Sequence, residues 1–235
     1  MCGRYALGVN PDELREVFDL VHAEPFAPRY NIAPSTEAPV VLASSKRGGW
    51  SAERLNWGLV PSWAGTPELG RRAFNARLES AREKPMFRES AATRRCLVPA
   101  TGYYEWAGSG RTKQPWFFFA RDAPILALAG LWSRWRAPEG GLLHTFSVLT
   151  QPAEGAAAAV HHRMPVGVAP SAWSAWLEAP ADEAFRALAT PVEIAQHPVG
   201  AAVGSVSAEG EALTRPSARG ALQGTMLLDA VLGSE

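Results

Sequence analysis

Cys96-Leu97-Val98-Pro99-Ala100-Thr101-Gly102-Tyr103-Tyr104-Glu105-Trp106 is the stretch from which the fold is read. It holds two short β-type runs, Cys96–Val98 and Tyr103–Trp106, separated by residues that break regular structure. The same pattern spreads outward in both directions. Runs rich in branched and aromatic side chains recur at Val40–Ala43, Glu53–Val60, Trp116–Ala120, Ile125–Leu131 and Thr145–Leu149, many of them punctuated by Gly or Pro. Such punctuation favours antiparallel pairing into a barrel-like or sandwich sheet over a βαβ array. Asn10-Pro11-Asp12-Glu13 reads as a helix start, with Leu14, Val17, Phe18 and Val21 at helical spacing, so a helix is expected over 11–22. Further helices are expected near Glu79–Glu89, Ala153–Val160, Ser171–Leu177 and Ala181–Ala189. An irregular loop is expected over Glu24–Pro39, which carries four prolines.

Composition narrows the class. The chain has 235 residues, 47% hydrophobic and 20% charged, which excludes disorder throughout and suits one large domain. No uncharged apolar run approaches the ~20 residues of a membrane span, so no membrane partner is expected. Met1-Cys2-Gly3-Arg4-Tyr5 lacks the apolar core of a signal peptide, which makes a cytoplasmic protein the expectation. Cys2 and Cys96 cannot build a disulfide framework, and without a Cys-x-x-Cys pair or clustered ligands no metal site is expected. The formal charge is zero, yet it is unevenly placed. Residues 71–95 carry a net +5, and residues 171–235 a net −5. That asymmetry fits a local phosphate-binding surface or, equally, a solvated helix face bearing arginines. From about Thr214 the chain is Gly/Ala/Ser-rich with an apolar patch at Met226-Leu227-Leu228, a flexible tail or docking segment.

Several residues can carry chemistry. Removal of Met1 would leave Cys2 with an amine and a thiol on adjacent carbons, both partly activated near neutrality. A 1,2-aminothiol condenses with an aldehyde to a Schiff base, which the thiol closes to a thiazolidine; it also serves as a nucleophile on an amide. The alternative is a small buried residue. In an extended strand Glu105 shares a face with Tyr103, opposite Tyr104 and Trp106. A carboxylate among aromatics should lose solvent and hold its proton to higher pH, as a general acid or base requires; a solvent-facing edge position is the alternative. Asn75 and Arg77 fall on one side of an extended backbone, where the amide can hold an amine or sugar oxygen and the guanidinium a phosphate. His161 and His162 are adjacent, so on a strand only one would face a given site; imidazole moves protons near neutral pH, and a structural histidine is the competing reading. Trp63 lies in a Gly/Pro-rich loop where an exposed indole can stack on a base, although most of the nine tryptophans must be core.

Together these pieces resemble the SOS response-associated peptidase (SRAP) family, the abasic-site processing proteins. The resemblance rests on Met1-Cys2-Gly3-Arg4-Tyr5, Arg29-Tyr30-Asn31-Ile32-Ala33-Pro34, Trp57-Gly58-Leu59-Val60-Pro61, Asn75-Ala76-Arg77-Leu78-Glu79, Cys96-Leu97-Val98-Pro99-Ala100, Gly102-Tyr103-Tyr104-Glu105-Trp106, His161-His162-Arg163-Met164-Pro165 and His197-Pro198-Val199. They occur in family order and make residues 2–213 a single domain of this type, with 214–235 as the tail. The resemblance implies an α+β fold with a barrel-like antiparallel β-sheet core, peripheral helices and a positively charged DNA groove. It implies a monomer without cofactor whose partner is single-stranded DNA containing an abasic site. Cys2 would be the nucleophile in a covalent thiazolidine crosslink to the ring-opened sugar. Glu105 and His161 would be the acid/base pair and Asn75 the orienting group. Arg77 and Arg163 would hold flanking phosphates, with Arg4 a further candidate, and Pro34, Trp63 and Met86 would separate bases at the lesion.

Two departures stand out. His162 occupies the place where the family usually has Asp, and Gly200-Ala201-Ala202 follows Val199 where Ser and a basic residue are common. The word peptidase in the family name fits self-processing that exposes Cys2, or proteolysis of other substrates. Two other readings stand beside DNA crosslinking. One is an N-terminal-nucleophile amidase that uses Cys2 and His161 without DNA, the other a DNA-binding module with an inert Cys2.

Overall fold

The computed structural model describes residues 2–44, 48–109 and 113–217. In chain order the elements are β1 (Tyr5–Leu7), α1 (Pro11–Phe18), β2 (Leu20–Ala23), β3 (Arg29–Ile32), β4 (Glu37–Ala43), β5 (Trp50–Trp57), β6 (Asn75–Arg77), α2 (Arg88–Thr93), β7 (Arg95–Ala100), β8 (Gly102–Ala107), β9 (Gln114–Ala120), β10 (Leu126–Arg136), β11 (Leu142–Pro152), α3 (Gly155–Ala158), β12 (Arg163–Pro165), α4 (Trp173–Glu178), α5 (Ala181–Ala187) and β13 (Ile194–Pro198). The strands form two sheets. One runs β13-β9-β8-β1-β3, the other β12-β11-β10-β7-β4-β5-β2 with β6 alongside β11. The second sheet closes on itself, because Thr145 and Phe146 of β11 pair in parallel with Asn56 and Trp57 of β5. The expected barrel-like core is therefore present. Its pairing is mixed, since β2–β5, β5–β11 and β6–β11 are parallel within a mostly antiparallel arrangement.

Both faces of the closed sheet are covered, which accounts for the unbroken apolar runs in its strands. Leu126 and Leu128 of β10 pack into a core with Leu7, Tyr103 and Phe118 of the other sheet. Their neighbours Ala127, Ala129 and Leu131 face a second core with Leu14 of α1, Trp176 of α4 and Ala184 of α5. The α+β class thus follows from one sheet sandwiched between a second sheet and a layer of short helices.

The seven β-type runs read from sequence all become strands, β4, β5 and β7 to β11. The helix expected over 11–22 stops at Phe18. Its start is a capping box, in which Asn10 accepts from the Asp12 and Glu13 amides and Glu13 reaches back to the Asn10 amide. Asp19 then turns left-handed at φ 49°, and Val21 goes instead into β2 beside β5. The helix expected over 79–89 is a 3-10 turn at Leu78–Ser80 followed by irregular turns, and α2 begins at Arg88. Pro85 explains the break, since it lacks an amide proton and disfavours helical backbone at the residue before it. The expected loop over 24–39 contains β3 and the start of β4. The apolar patch at 226–228 lies outside the described residues, whereas Ser217 still bonds to the Pro198 carbonyl at 2.9 Å.

Not every cation of the +5 segment is available to a ligand. Arg95 is buried and caps two helix ends, donating to Ala91 and Ala92 carbonyls near the end of α2 and to Trp176 and Ala179 carbonyls near the end of α4. Arg94 pairs with Glu89, and Arg82 with Asp182. Gly102, the first residue of β8, has no room for a side chain, because a Cβ there would lie 2.3 Å from Phe117 Cζ and 2.4 Å from the Phe118 carbonyl oxygen. A backbone carbonyl in a paired strand cannot give way. We expect Gly102→Ala to destabilise the protein by about 1–3 kcal/mol, read as a lower midpoint of urea unfolding; an unchanged midpoint would contradict the close approach.

Candidate active site

Three strands and one turn bring the sequence candidates together. β1 lies between β3 and β8, with Tyr5 opposite Tyr103 and Ala6 opposite Gly102. The residues before β1 are carried along β8, and Cys2 is fully buried in the core that contains Tyr103. Glu105 lies two residues beyond Tyr103 on the same face of a strand bordered on both sides. It is only 5% exposed, which removes the edge-strand reading. From the closed sheet, β6 runs parallel to β11 with Asn75 opposite Val148 and Arg77 opposite Thr150. Asn75 and Arg77 therefore share a face, opposite to buried Ala76. The Asn75 amide donates to the Cys2 carbonyl at 2.7 Å.

The electrostatics follow from burial. Loss of solvent, with the Glu105 charge adding to it, pushes the Cys2 thiol far above its ordinary range. Burial also raises Glu105, opposed in part by His161. The imidazole of His161 lies near that carboxylate, Nδ1 to Oε1 3.9 Å. His161 Nδ1 is 3.0 Å from the Arg163 amide and 2.9 Å from the Arg163 carbonyl. An unprotonated Nδ1 accepts from the amide and a protonated Nδ1 donates to the carbonyl, so either proton state keeps a backbone partner.

His161 and His162 do not alternate across a strand as adjacent strand residues would. They lie in the turn after α3, where the His161 amide bonds to the Ala157 carbonyl and the His162 carbonyl accepts from the Ala153 amide. The rings lie against each other, centroids 4.3 Å apart.

The arginine candidates divide. Arg77 is exposed on a groove of about 830 Å³, lined also by Thr66, Glu68, Leu69, Arg71, Arg72, Asn75, Lys84, Met86 and Thr150, four cations against one carboxylate. Arg71, Arg72 and Lys84 belong to the +5 segment but were not singled out from sequence; only the fold places them on one wall, and exposed Leu69 gives no sequence signal at all. Arg163 is held in a fork by Glu79, at 2.5 and 2.9 Å, and bonds to the Thr150 carbonyl. The Arg163 guanidinium in turn lowers the Glu79 carboxyl. Arg4 lies on the other face of its sheet, the face of Tyr104 and Trp106. It donates to Asn31 Oδ1 at 2.8 Å and to the Val203 carbonyl at 3.0 Å, and lies over the Trp106 ring. Met86 lines the groove; Trp63 is 57% exposed beyond Pro61, and Pro34 is half-buried beyond β3. His197 holds the Thr214 carbonyl at 2.7 Å, far along the chain from the cluster around Cys2.

The family model described as SOS response associated peptidase (SRAP) matches residues 1–206. The chain belongs to this family. Abasic site processing protein YoqW of Bacillus subtilis is 34% identical over 183 residues, covering 75% of this chain and 80% of that protein. Abasic site processing protein YedK of Escherichia coli is 29% identical over 228 residues, 92% of this chain and 100% of that one. Among solved structures, a Bacteroides thetaiotaomicron protein has the same fold, with TM-score 0.80 at 22% identity over 92% of this SRAP chain and 100% of that chain. A phage-related protein of Bordetella bronchiseptica gives TM-score 0.67 at 30% identity, covering 84% of this chain and 94% of that one.

The raised Glu105 carboxyl has a thermodynamic consequence. Between its unfolded value of about 4.3 and its higher folded value the native state binds more protons than the unfolded one. Stability therefore falls as pH rises through that interval and remains reduced above it. We expect Glu105→Gln to unfold at a higher temperature than the parent at neutral pH, with the gap closing towards pH 4. Parallel thermal scans from pH 4 to 8 measure this, and a gap independent of pH would contradict the buried charge.

Proposed function

We propose that this chain recognises an abasic site in single-stranded DNA and becomes covalently joined to it through Cys2. The observation that carries this reading is continuity. Asn75 lines the cationic groove, and its amide holds the Cys2 carbonyl. Exposed Arg71, Arg72, Arg77 and Lys84 suit a phosphate backbone, and Leu69 and Met86 offer apolar surface to bases. The relatives' names, abasic site processing proteins, agree with that chemistry.

Once Met1 is removed, the Cys2 amine attacks the aldehyde carbon of the ring-opened deoxyribose, and loss of water gives a Schiff base. The thiol then adds to the C=N carbon; its proton goes to nitrogen and the thiazolidine closes. Glu105 and His161 relay the protons that open the sugar and release water, while Asn75 orients the residue bearing both nucleophiles. With the thiol buried and its proton tightly held, closure needs such a neighbouring acceptor. Arg163 reaches a phosphate only by exchanging its fork to Glu79, so its contribution to binding is smaller than that of Arg77. Covalent attachment shields the lesion from other chemistry; the reading requires that Met1 be removed, and self-processing that exposes Cys2 would fit the word peptidase in the family name.

Purified protein mixed with a single-stranded oligonucleotide bearing one abasic site should give a band of reduced mobility on a denaturing gel. Cys2→Ala should give none, and a band that persists in this variant would overturn the assignment. Arg77→Gln should weaken binding and lower the slope of log affinity against log salt by about 0.7, the loss of one single-strand phosphate contact. Peptide cleavage that survives charge reversal at Arg77, without any DNA adduct, would favour an amidase.

A further inference from the structure

β13 is the outermost strand of the smaller sheet, and among the described residues its one strand partner is β9. Hydrogen bonds at the two ends of that ladder show which backbone groups it uses. The Arg121 amide donates to the Glu193 carbonyl and the Val199 amide to the Pro115 carbonyl. Antiparallel alternation then turns the amides and carbonyls of residues 193, 195, 197 and 199 toward β9. Those of Ile194 and Gln196, with the Pro198 carbonyl, point to the opposite edge. The end of the described chain already lies on that edge. Val199 bridges antiparallel to Pro216, and the Ser217 amide donates to the Pro198 carbonyl at 2.9 Å. His197 holds the same stretch through the Thr214 carbonyl.

We propose that the chain continues along this edge, with residues 218–222 adding to β13 as a further antiparallel strand. The bridge at Val199 and Pro216 sets the register. Arg219 falls opposite Gln196 and Ala221 opposite Ile194, each pair exchanging backbone hydrogen bonds, while Gly220 faces Ala195 without them. A groove of about 610 Å³ follows the same edge, lined by Gln196 and Ile194 on one side and by Ala156 and Ala157 of α3 on the other. Its charge suits the occupant. Glu154 and Glu193 outnumber Arg121 along the groove, and Arg219 is the only cation of residues 218–235. Past the end of β13 the lining turns apolar at Leu188, Pro191 and Val192, where Leu222 and then Met226-Leu227-Leu228 are due. A tethered segment already in register outcompetes a free peptide, because its effective concentration is high. Occupation would deny the edge to other chains, for which an unpaired strand is a template. It would also brace α3, where Gln196 Nε2 holds the Ala156 carbonyl at 3.3 Å and the next carbonyl, Ala157, holds the His161 amide.

The register makes this testable in the full chain. A facing pair without hydrogen bonds has its Cα atoms about 4.5 Å apart, within reach of a disulfide. Ala195→Cys combined with Gly220→Cys should therefore oxidise to an intramolecular bond, located by peptide mapping and seen on a non-reducing gel. Ala195→Cys with Gly224→Cys is the control, and its oxidation should be about tenfold slower or more. Equal oxidation of the two pairs, or no bond in the first, would overturn the proposal. A disulfide-linked dimer as the main product would overturn it too, assigning the edge to a second copy. Amide exchange followed by NMR needs no new cysteine. Arg219→Pro removes the amide that would donate to the Gln196 carbonyl and disfavours the pairing. Exchange at the Gln196 amide should then quicken about tenfold, the loss of roughly one hydrogen bond, while the Ala195 amide, bonded to β9, stays protected. Identical exchange at Gln196 in parent and variant would refute the added strand. Neither experiment involves DNA, so both outcomes are independent of the crosslinking reading.

Discussion

The residues at either end of a fold are ordinarily its least ordered part, because few hydrogen bonds hold them. Here the opening residues are held by a strand of only three residues. Tyr5–Leu7 is bordered by β3 and β8, and the Arg4 carbonyl accepts from the Tyr104 amide. From that anchorage Cys2 enters the core and meets the Asn75 amide. Everything else in the candidate site is defined relative to this held segment. On the proposed crosslinking reading, a free end would spread the amine and thiol of Cys2 over many orientations, and reaction with an aldehyde would first have to order them.

The partners of that segment come from the closed sheet, and β11 gathers them. Thr150 has Arg77 on one side and Pro165 on the other. One strand thereby places residues 75–77 and 161–165 at a common site although more than eighty positions separate them. The fork between Glu79 and Arg163 joins the same two segments through their side chains. Parallel pairing contributes to this: β6 and β5 both run alongside β11, and the loop between them supplies Arg71 and Arg72 to the groove. An all-antiparallel barrel of the expected kind would have sent that loop elsewhere.

How much of this was legible depended on length and context. Seven strands could be read because their apolar runs are long enough to have a pattern. β1, β6 and β12 could not, since three residues carry no period; their existence follows from partners remote in sequence. Asn75 and Arg77 could nevertheless be placed on one face, because alternation holds wherever the backbone is extended. The aromatic setting of Glu105 was also legible and pointed correctly to burial and a raised carboxyl. Charge was the less faithful guide. Arg82, Arg94 and Arg95 count toward +5 yet are occupied with Asp182, Glu89 and helix-end carbonyls, and Arg4, a phosphate candidate, bonds to Asn31 and the Val203 carbonyl. A side chain's partners, unlike its charge, are a property of the fold.

The two faces of β8 carry different tasks, and the division explains why so many motif residues lie away from the groove. On the face opposite Glu105, Arg4, Asn31, Tyr104 and the carbonyls of Val203, Ser205 and Ala208 form a polar lock. Asn31 donates to Ser205 and Ala208 at 2.8 Å each, and the Tyr104 hydroxyl to the Tyr30 carbonyl at 2.8 Å. Each of these residues finds a partner within the protein, and those bonds hold the strand. On the other face lie a raised carboxyl, a buried thiol and an amide whose Oδ1 is buried without a hydrogen-bond partner among the described residues. Those groups are costly to bury. The rigidity supplied by the locked face is what allows the costlier face to persist.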